Sequence, residues 1–348
     1  MALPSSGAIS LNNVNVELGN SGTAYITMGS AAVRGLFGVS SGAIDMADGY
    51  GKSSFDPSDR GVFAGGSGDS NNSTWTDTIQ YITISSTGNA TDFGNLTIPN
   101  AYMEGMSSSS RGVFAGKTWY AQPTSAAVME YITIASTGNA TSFGTLSDTR
   151  GRPGAVSSAT RGVIGGGMHS STSSVMDYIT IASTGNATSF GSLTSGSDRP
   201  AGLESSTRGI FAGGEGGSLL AASAYITIAS TGNATSFGSL AAQAEQPAGC
   251  SNGTRGVIAG GADPFTYVVA DTIQYVTIAS TGNSTDFGNL VAAHFRMTGC
   301  SNGTRGIFAG GTAGMQIEYI TIASTGNSTA FGTLLVRGSV MGGLAGAF

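Results

Sequence analysis

Along most of the chain, short apolar runs punctuated by glycine take turns with segments in which hydrophobic and polar residues change places at every second position. The first kind opens on an Arg-Gly pair, as in Arg161-Gly162-Val163-Ile164-Gly165-Gly166, and recurs at Arg60, Arg111, Arg161, Arg208, Arg255 and Arg305. The second is Tyr-Ile-Thr-Ile or a near-identical stretch, starting at Tyr81, Tyr131, Tyr178, Tyr225, Tyr275 and Tyr319. β-branched residues in period-two alternation read as strands. The Ser-Thr-Gly-Asn that follows each of them reads as a tight turn. A third strand is expected over Thr-Ser-Phe-Gly-x-Leu, and a fourth over a Gly-apolar pair such as Gly105-Met106, Ala155-Val156, Gly202-Leu203, Gly249-Cys250 or Gly299-Cys300. In order of sequence these are strand A (Gly-apolar), B (Arg-Gly), C (Tyr-Ile-Thr-Ile) and D (Phe-Gly-x-Leu).

The spacing is constant. From each tyrosine to the leucine that closes strand D (Leu96, Leu146, Leu193, Leu240, Leu290, Leu334) there are 15 residues, and from each of the first five leucines to the next Arg-Gly there are 15 again. A repeat of 47 to 51 residues is too short to bury a core alone and falls in the range of propeller blades. The expected fold is therefore all-β, a six-bladed propeller of four-stranded antiparallel blades. Blade repeats are expected near 58–96, 97–146, 147–193, 194–240, 241–290 and 291–334, followed by a closing strand within 335–348. Counting 15 residues from Leu334 reaches position 349, whereas no strand A precedes Arg60. Gly343-Leu344 is thus expected to complete blade one and to leave no open edge between first and last blades.

Residues 1–57 lie outside this register. Two short helices are expected there, Ser10 to Leu18 and Ser30 to Phe37, each opened by a serine able to cap it. The segment is too short for an independent core of much stability and is expected to dock on something.

Composition narrows the function classes. With 56 glycines, 10% charged residues and 40% hydrophobic residues, the chain is neither disordered nor like a helical enzyme. A net charge of -6 with only two lysines, Lys52 and Lys117, offers no basic face, so no nucleic-acid partner is expected. No signal peptide and no run of membrane-spanning length stand out, so a chain made in the cytoplasm without membrane insertion is expected. Half of the arginines occupy the Arg-Gly position, where inter-blade ties to backbone carbonyls are expected. Cys250 and Cys300 occupy a position filled elsewhere by Met106, Val156, Leu203 and Leu344, which reads as packing. The Asn-x-Thr tripeptides at Asn89, Asn139, Asn186, Asn233, Asn283 and Asn327 read as turn residues.

Fold requirements act alike on all six blades, so function is sought where blades differ. Arg-Gly to tyrosine spans 14 to 21 residues, so every length difference falls in the connection from strand B to strand C, and all six connections leave the same face. They carry Trp75, Trp119, Tyr120, His169, Phe265 and Tyr267, the candidate ligand-binding residues, because exposed aromatics offer stacking faces and anchors. No enzyme is expected. There are two histidines, His169 and His294, no metal-ligand pattern, no cofactor motif and no arginine cluster distinct from the Arg-Gly set. Carboxylates such as Asp148, Asp198 and Glu204 look scattered among blades without repetition.

Two resemblances follow from these residues. The double glycine ending strand B, a variable stretch and Tyr-Ile-Thr-Ile-Ala-Ser-Thr-Gly-Asn-Ala-Thr-Ser-Phe-Gly-Thr-Leu together resemble the kelch repeat over about residues 58–348. Phe93, Phe143, Phe190, Phe237, Phe287 and Phe331 stand where kelch repeats usually carry Trp. That resemblance implies four-stranded blades and binding through loops on one face. At the other end, Leu3-Pro-Ser-Ser-Gly-Ala-Ile-Ser-Leu11, Val33-Arg34-Gly35-Leu36-Phe37-Gly38-Val39, Ser41-Gly42-Ala43-Ile44-x-Met46 and Tyr50-Gly51-Lys52-Ser53 resemble the amino-terminal module of tailed-bacteriophage virion proteins. It implies a virion component that contacts other virion proteins through residues 1–57. On that basis a tail fibre or tail-associated adhesin is expected, its propeller loops binding a host-surface glycan or protein. The alternative is an architectural decoration of capsid, neck or tail without a receptor role.

Overall fold

The structure is a computed structural model that describes residues 2–4, 9–49, 56–68, 74–116, 128–216, 221–242, 244–263, 266, 268–312 and 314–346. The chain forms two compact units, Met1–Asp56 and Pro57–Phe348. In the first, helices Leu11–Glu17 and Ala31–Phe37 are capped by Ser10 and Ser30, whose hydroxyls accept from the backbone of Asn13 and Val33. Despite its length this unit gathers its own small core from Leu3, Ile9, Val14, Val33, Leu36 and Phe37. Buried Asn15 fastens the loop after the first helix by donating to the Ala24 carbonyl at 2.7 Å.

The second unit is the six-bladed propeller. Each blade is an antiparallel four-stranded sheet ordered A-B-C-D, for example Glu104–Ser107, Arg111–Ala115, Val128–Thr133 and Thr141–Thr145. The A strands are innermost, and each touches the A strands of both neighbours, so the ring is closed. Blade one takes its A strand from the far end of the sequence. Gly342–Ala345 pairs antiparallel with Arg60–Ala64, Val62 facing Leu344 and Ala64 facing Gly342.

The invariant letters are explained by contacts between blades. The apolar residue before the last of each A strand (Met106, Val156, Leu203, Cys250, Cys300, Leu344) lies against the glycine of the next blade's Arg-Gly. A Cβ there would meet that side chain at 2.3 to 2.9 Å at all six glycines, so any larger residue would force the packed side chain to shift. The two cysteines are buried free thiols, and this position is a packing site throughout.

Each Arg-Gly arginine lies over the tyrosine ring of its own blade, 4.3 to 4.6 Å from the centroid. Its Nη1 donates to a strand C isoleucine carbonyl of the following blade at 2.6 to 3.2 Å. Strand D, the outer edge, is also covered. The turn asparagine of the next blade accepts a strand D backbone N–H at 3.0 to 3.1 Å. The neighbouring turn backbone bonds to the same edge, as in Gly138 N–H to the Phe93 carbonyl and Ala140 N–H to the Asn95 carbonyl. A Cβ on the strand D glycine would stand 2.1 to 2.4 Å from that turn, which accounts for Phe-Gly. Every outer edge that would otherwise recruit another strand is thereby paired. The phenylalanine packs edge-on to the blade's tyrosine at 6.0 to 6.2 Å.

A further tie runs through the residue preceding each tyrosine. Gln80, Glu130, Asp177, Gln274 and Glu318 are buried. Each accepts the backbone N–H that follows the strand D leucine of the preceding blade: Leu335, Thr97, Ser147, Ala241 and Val291. Blade four has Ala224 in this place. Three of the carboxylates therefore share one repeated position, which corrects the expectation of carboxylates scattered without repetition.

Candidate functional site

Antiparallel order places the B-to-C connections and the D-to-A connections at the same end of the ring. They touch in four of the blades through single bridges, Ser67 with Ser339, Gly151 with Met168, Asp198 with Glu215, and Glu245 with Ala262. At the centre of this face the six D-to-A connections converge on the axis. The residue two before each A strand core, Val340, Tyr102, Arg152, Arg199, Gln246 and Arg296, takes a left-handed backbone with φ of 55 to 65°. Such a conformation is uncommon for any residue with a Cβ and more so for β-branched Val340. It is held, at all of these positions but Gln246, by a hydrogen bond from the residue's N–H to the carbonyl of its counterpart one blade back. Five such bonds run from 2.8 to 3.2 Å, including Arg152 to Tyr102 and Arg199 to Arg152. Strain of this kind persists only where the surroundings enforce it.

Three guanidinium groups are thereby brought to one small cavity, together with Tyr102, Gln246, Val340 and Glu104. Asp198, 1% exposed, receives Arg199 at 2.7 Å and Arg152 at 3.4 Å. Arg199 also pairs with Glu245 at 3.0 Å and with the more exposed Glu215 at 3.5 Å. Arg296 stacks on Phe295 and donates through Nε to the Gln246 side chain at 3.2 Å. Burial lowers its pKa; Arg199 and Arg152 push the same way, against Tyr102 and Glu245. This cluster corrects the expectation of no arginine cluster apart from the Arg-Gly set. Its signal was in the spacing: Arg152, Arg199 and Arg296 each fall six residues after a strand D leucine.

Below the mouth the A strands line an axial channel of about 150 Å³. Two carboxyls face it, Glu104 at the mouth end of its strand and Glu204 at the far end of its own. Burial pushes Glu104 up to about 8, against the Gly105 backbone hydrogen bond, and Glu204 up to about 7. A carboxyl raised on folding favours the folded state most at low pH, and that advantage disappears as pH rises from about 4.5 through the folded value. Thermal melts from pH 5 to pH 9 should therefore show stability falling across about pH 4.5 to 8. The double variant Glu104→Gln, Glu204→Gln should flatten that fall. An unchanged profile in the variant would rule these two groups out as its source.

The residues expected to bind ligand fall as follows. Trp75 is half-buried and folded onto Ala101, Tyr102 and Val340, placing it beside the axial mouth. His169 is exposed on the third blade's connection, next to Met168, whose sulfur receives Arg152 Nη1 at 3.6 Å. Trp119, Tyr120, Phe265 and Tyr267 lie outside the described residues. Among the described residues no group of three or more histidine, cysteine or carboxylate side chains is arranged to hold a metal ion, and no helix is long and apolar enough to cross a membrane.

No protein-family model matches the chain. A search of curated proteins likewise finds no match.

Proposed function

We propose that the protein is a non-enzymatic binding component of a tailed-bacteriophage particle, a tail fibre or tail-associated adhesin, whose loop face engages a host-surface glycan or protein. The observation that carries the binding half of this reading is the confinement of all length variation to connections on one face. Three sets of inter-blade ties hold everything else in constant register, so these connections can change without disturbing the ring. That same face gathers the arginine mouth and Trp75. The kelch-like double glycines and the loop-face binding they imply support the same reading, although phenylalanine replaces the usual tryptophan. Residues 1–57 are the proposed attachment to other virion proteins. Support comes from their likeness to phage amino-terminal modules and from Leu11, Val16 and Tyr25, which this small unit leaves exposed.

Antibody raised against the propeller should label purified particles at the tail and block adsorption to host cells. The variant Trp75→Ala, Trp119→Ala should lower adsorption at least tenfold while the propeller melts as a folded domain. Labelling at capsid or neck with unimpaired adsorption would favour the architectural alternative. Absence of the protein from purified particles would sink both.

A further inference from the structure

The arginine mouth has a charge pattern that the fold does not require. The six ring positions share one backbone conformation, and five of them donate the same inter-blade hydrogen bond, yet Val340, Tyr102 and Gln246 fill three of them without charge. The three guanidinium groups are therefore not needed to form the turn. They stand with two largely buried carboxylates, Asp198 and Glu245, while Glu215 sits farther out at 36% side-chain exposure. The third carboxylate, Glu215, lies within ion-pair distance of Arg199 alone, so the carboxylates are gathered on Arg199 and Arg152 and leave Arg296 without one. Glu104 adds little to the negative side at neutral pH, since burial holds its carboxyl largely protonated.

The uneven pairing can be traced to particular atoms. Arg199 is committed to Asp198, Glu245 and Glu215. Arg152 has a buried Nε with no hydrogen-bond partner among the described residues. Arg296 meets the Gln246 side chain through Nε, and among the described residues no carboxylate lies within ion-pair distance of it. Unpaired guanidinium donors at a partly desolvated mouth are what a planar carboxylate satisfies best, through two parallel N–H···O bonds. The cavity they line is small, about 30 Å³, room for a carboxylate group and not for a whole ring.

We infer that the axial mouth of the loop face binds a single carboxylate carried by an acidic sugar, with Arg296 and Arg152 as its direct partners and Arg199 held in place by Asp198 and Glu245. This rests on the reading of the loop face as a binding surface and names the ligand class. A sugar is favoured over a peptide because every outer strand edge is already covered by the neighbouring blade's turn. A peptide could not add itself as a strand and would be held by a side chain alone. A sugar ring attached to the carboxylate can instead rest against the half-exposed Trp75 beside the mouth.

The test uses the full chain at neutral pH, titrated calorimetrically with glucuronate, N-acetylneuraminate, glucose and a glutamate-rich peptide. Saturable binding of at least one acidic sugar is expected, with glucose at least tenfold weaker. Arg296→Gln and, separately, Arg152→Gln should each weaken the acidic sugar at least tenfold with the melting temperature preserved in at least one of them. Equal binding of glucose, no binding of either acidic sugar, unchanged affinity in a folded variant, or tighter binding of the peptide would each overturn the inference. Adsorption competition separates it from the adhesin reading. If wild type and Arg296→Gln block adsorption equally, the mouth is not the site and the adhesin reading stands. If wild type binds glucuronate through Arg296 yet does not block adsorption, the mouth stands and the adhesin reading falls.

Discussion

Deleting residues 335–348 is expected to open the ring and remove most of the propeller's cooperative stability. The closing strand supplies the inner edge of blade one, pairing Gly61 with Ala345 through Ala64 with Gly342. It also carries Leu344, whose side chain seats on Gly112 of blade two, and Val340 and Met341, both buried. Burial of a large aliphatic side chain contributes about 1.5 to 3 kcal/mol, so these three alone represent roughly 5 to 9 kcal/mol. That is comparable to the whole stability of an ordinary domain, about 5 to 15 kcal/mol. Two further ties go with them, Leu335 N–H to Gln80 and Ser107 to the Ala345 carbonyl. Calorimetry should show a melting temperature lower by at least about 10 °C, and limited proteolysis should cut first within blades one and six. A truncated chain that melts like the full one would mean that the seam contributes nothing to the fold.

The closure was legible in the sequence because it is a matter of counting: a fixed 15-residue register with one strand missing at one end and one spare at the other. The strands were legible for the same reason. The reasons for the invariant letters were not, because they depend on neighbours 38 to 74 residues away, and more than 200 away across the seam. Nothing local to Arg161-Gly162 says that the glycine accommodates Met106 of the preceding blade or that the arginine reaches Ile181's counterpart, Ile228, in the following one. Asn139 reads locally as a turn residue, and its side chain also accepts from Asn95 in another blade.

The candidate site was half legible. Looking where blades differ in length led to the loop face and to Trp75, but Trp75 folds onto Tyr102 and Val340 instead of standing free. The arginine mouth lies in a segment of constant length, and its occupants (Val340, Tyr102, Arg152, Arg199, Gln246, Arg296) share a backbone conformation but only half of them share a side chain. Searching constant-length segments only for letters present in all six blades passes over such a position. Comparing the six residues found at each fixed distance from the strand D leucine would have revealed it.

The same comparison identifies the place where one substitution should cost most. Replacing Asp177 with Ala is expected to destabilise the propeller by about 3 to 5 kcal/mol, the loss typical when one partner of a buried ion pair is removed. Asp177 and Arg150 are both fully buried and meet at 2.8 Å. Nε and Nη1 of Arg150 have no hydrogen-bond partner among the described residues, so Asp177 is the group that balances the charge. It also accepts from the Ser147 hydroxyl at 2.6 Å and from the Ser147 N–H. Blade four shows why the arginine is the source of the loss. There Ala224 stands in the place of Asp177, and the counterpart of Arg150 is Ser197, a small hydroxyl that donates to the Gly213 carbonyl at 3.0 Å. An alanine is compatible with this position when nothing charged is buried opposite it. The double variant Asp177→Ala, Arg150→Met should therefore recover most of the loss, with a coupling energy above about 1 kcal/mol in a double-mutant cycle. Urea unfolding of the two single variants and the double variant measures it. A loss below about 1 kcal/mol in Asp177→Ala would show that the guanidinium finds another partner or water, and additivity in the cycle would show that the pair does not act as one.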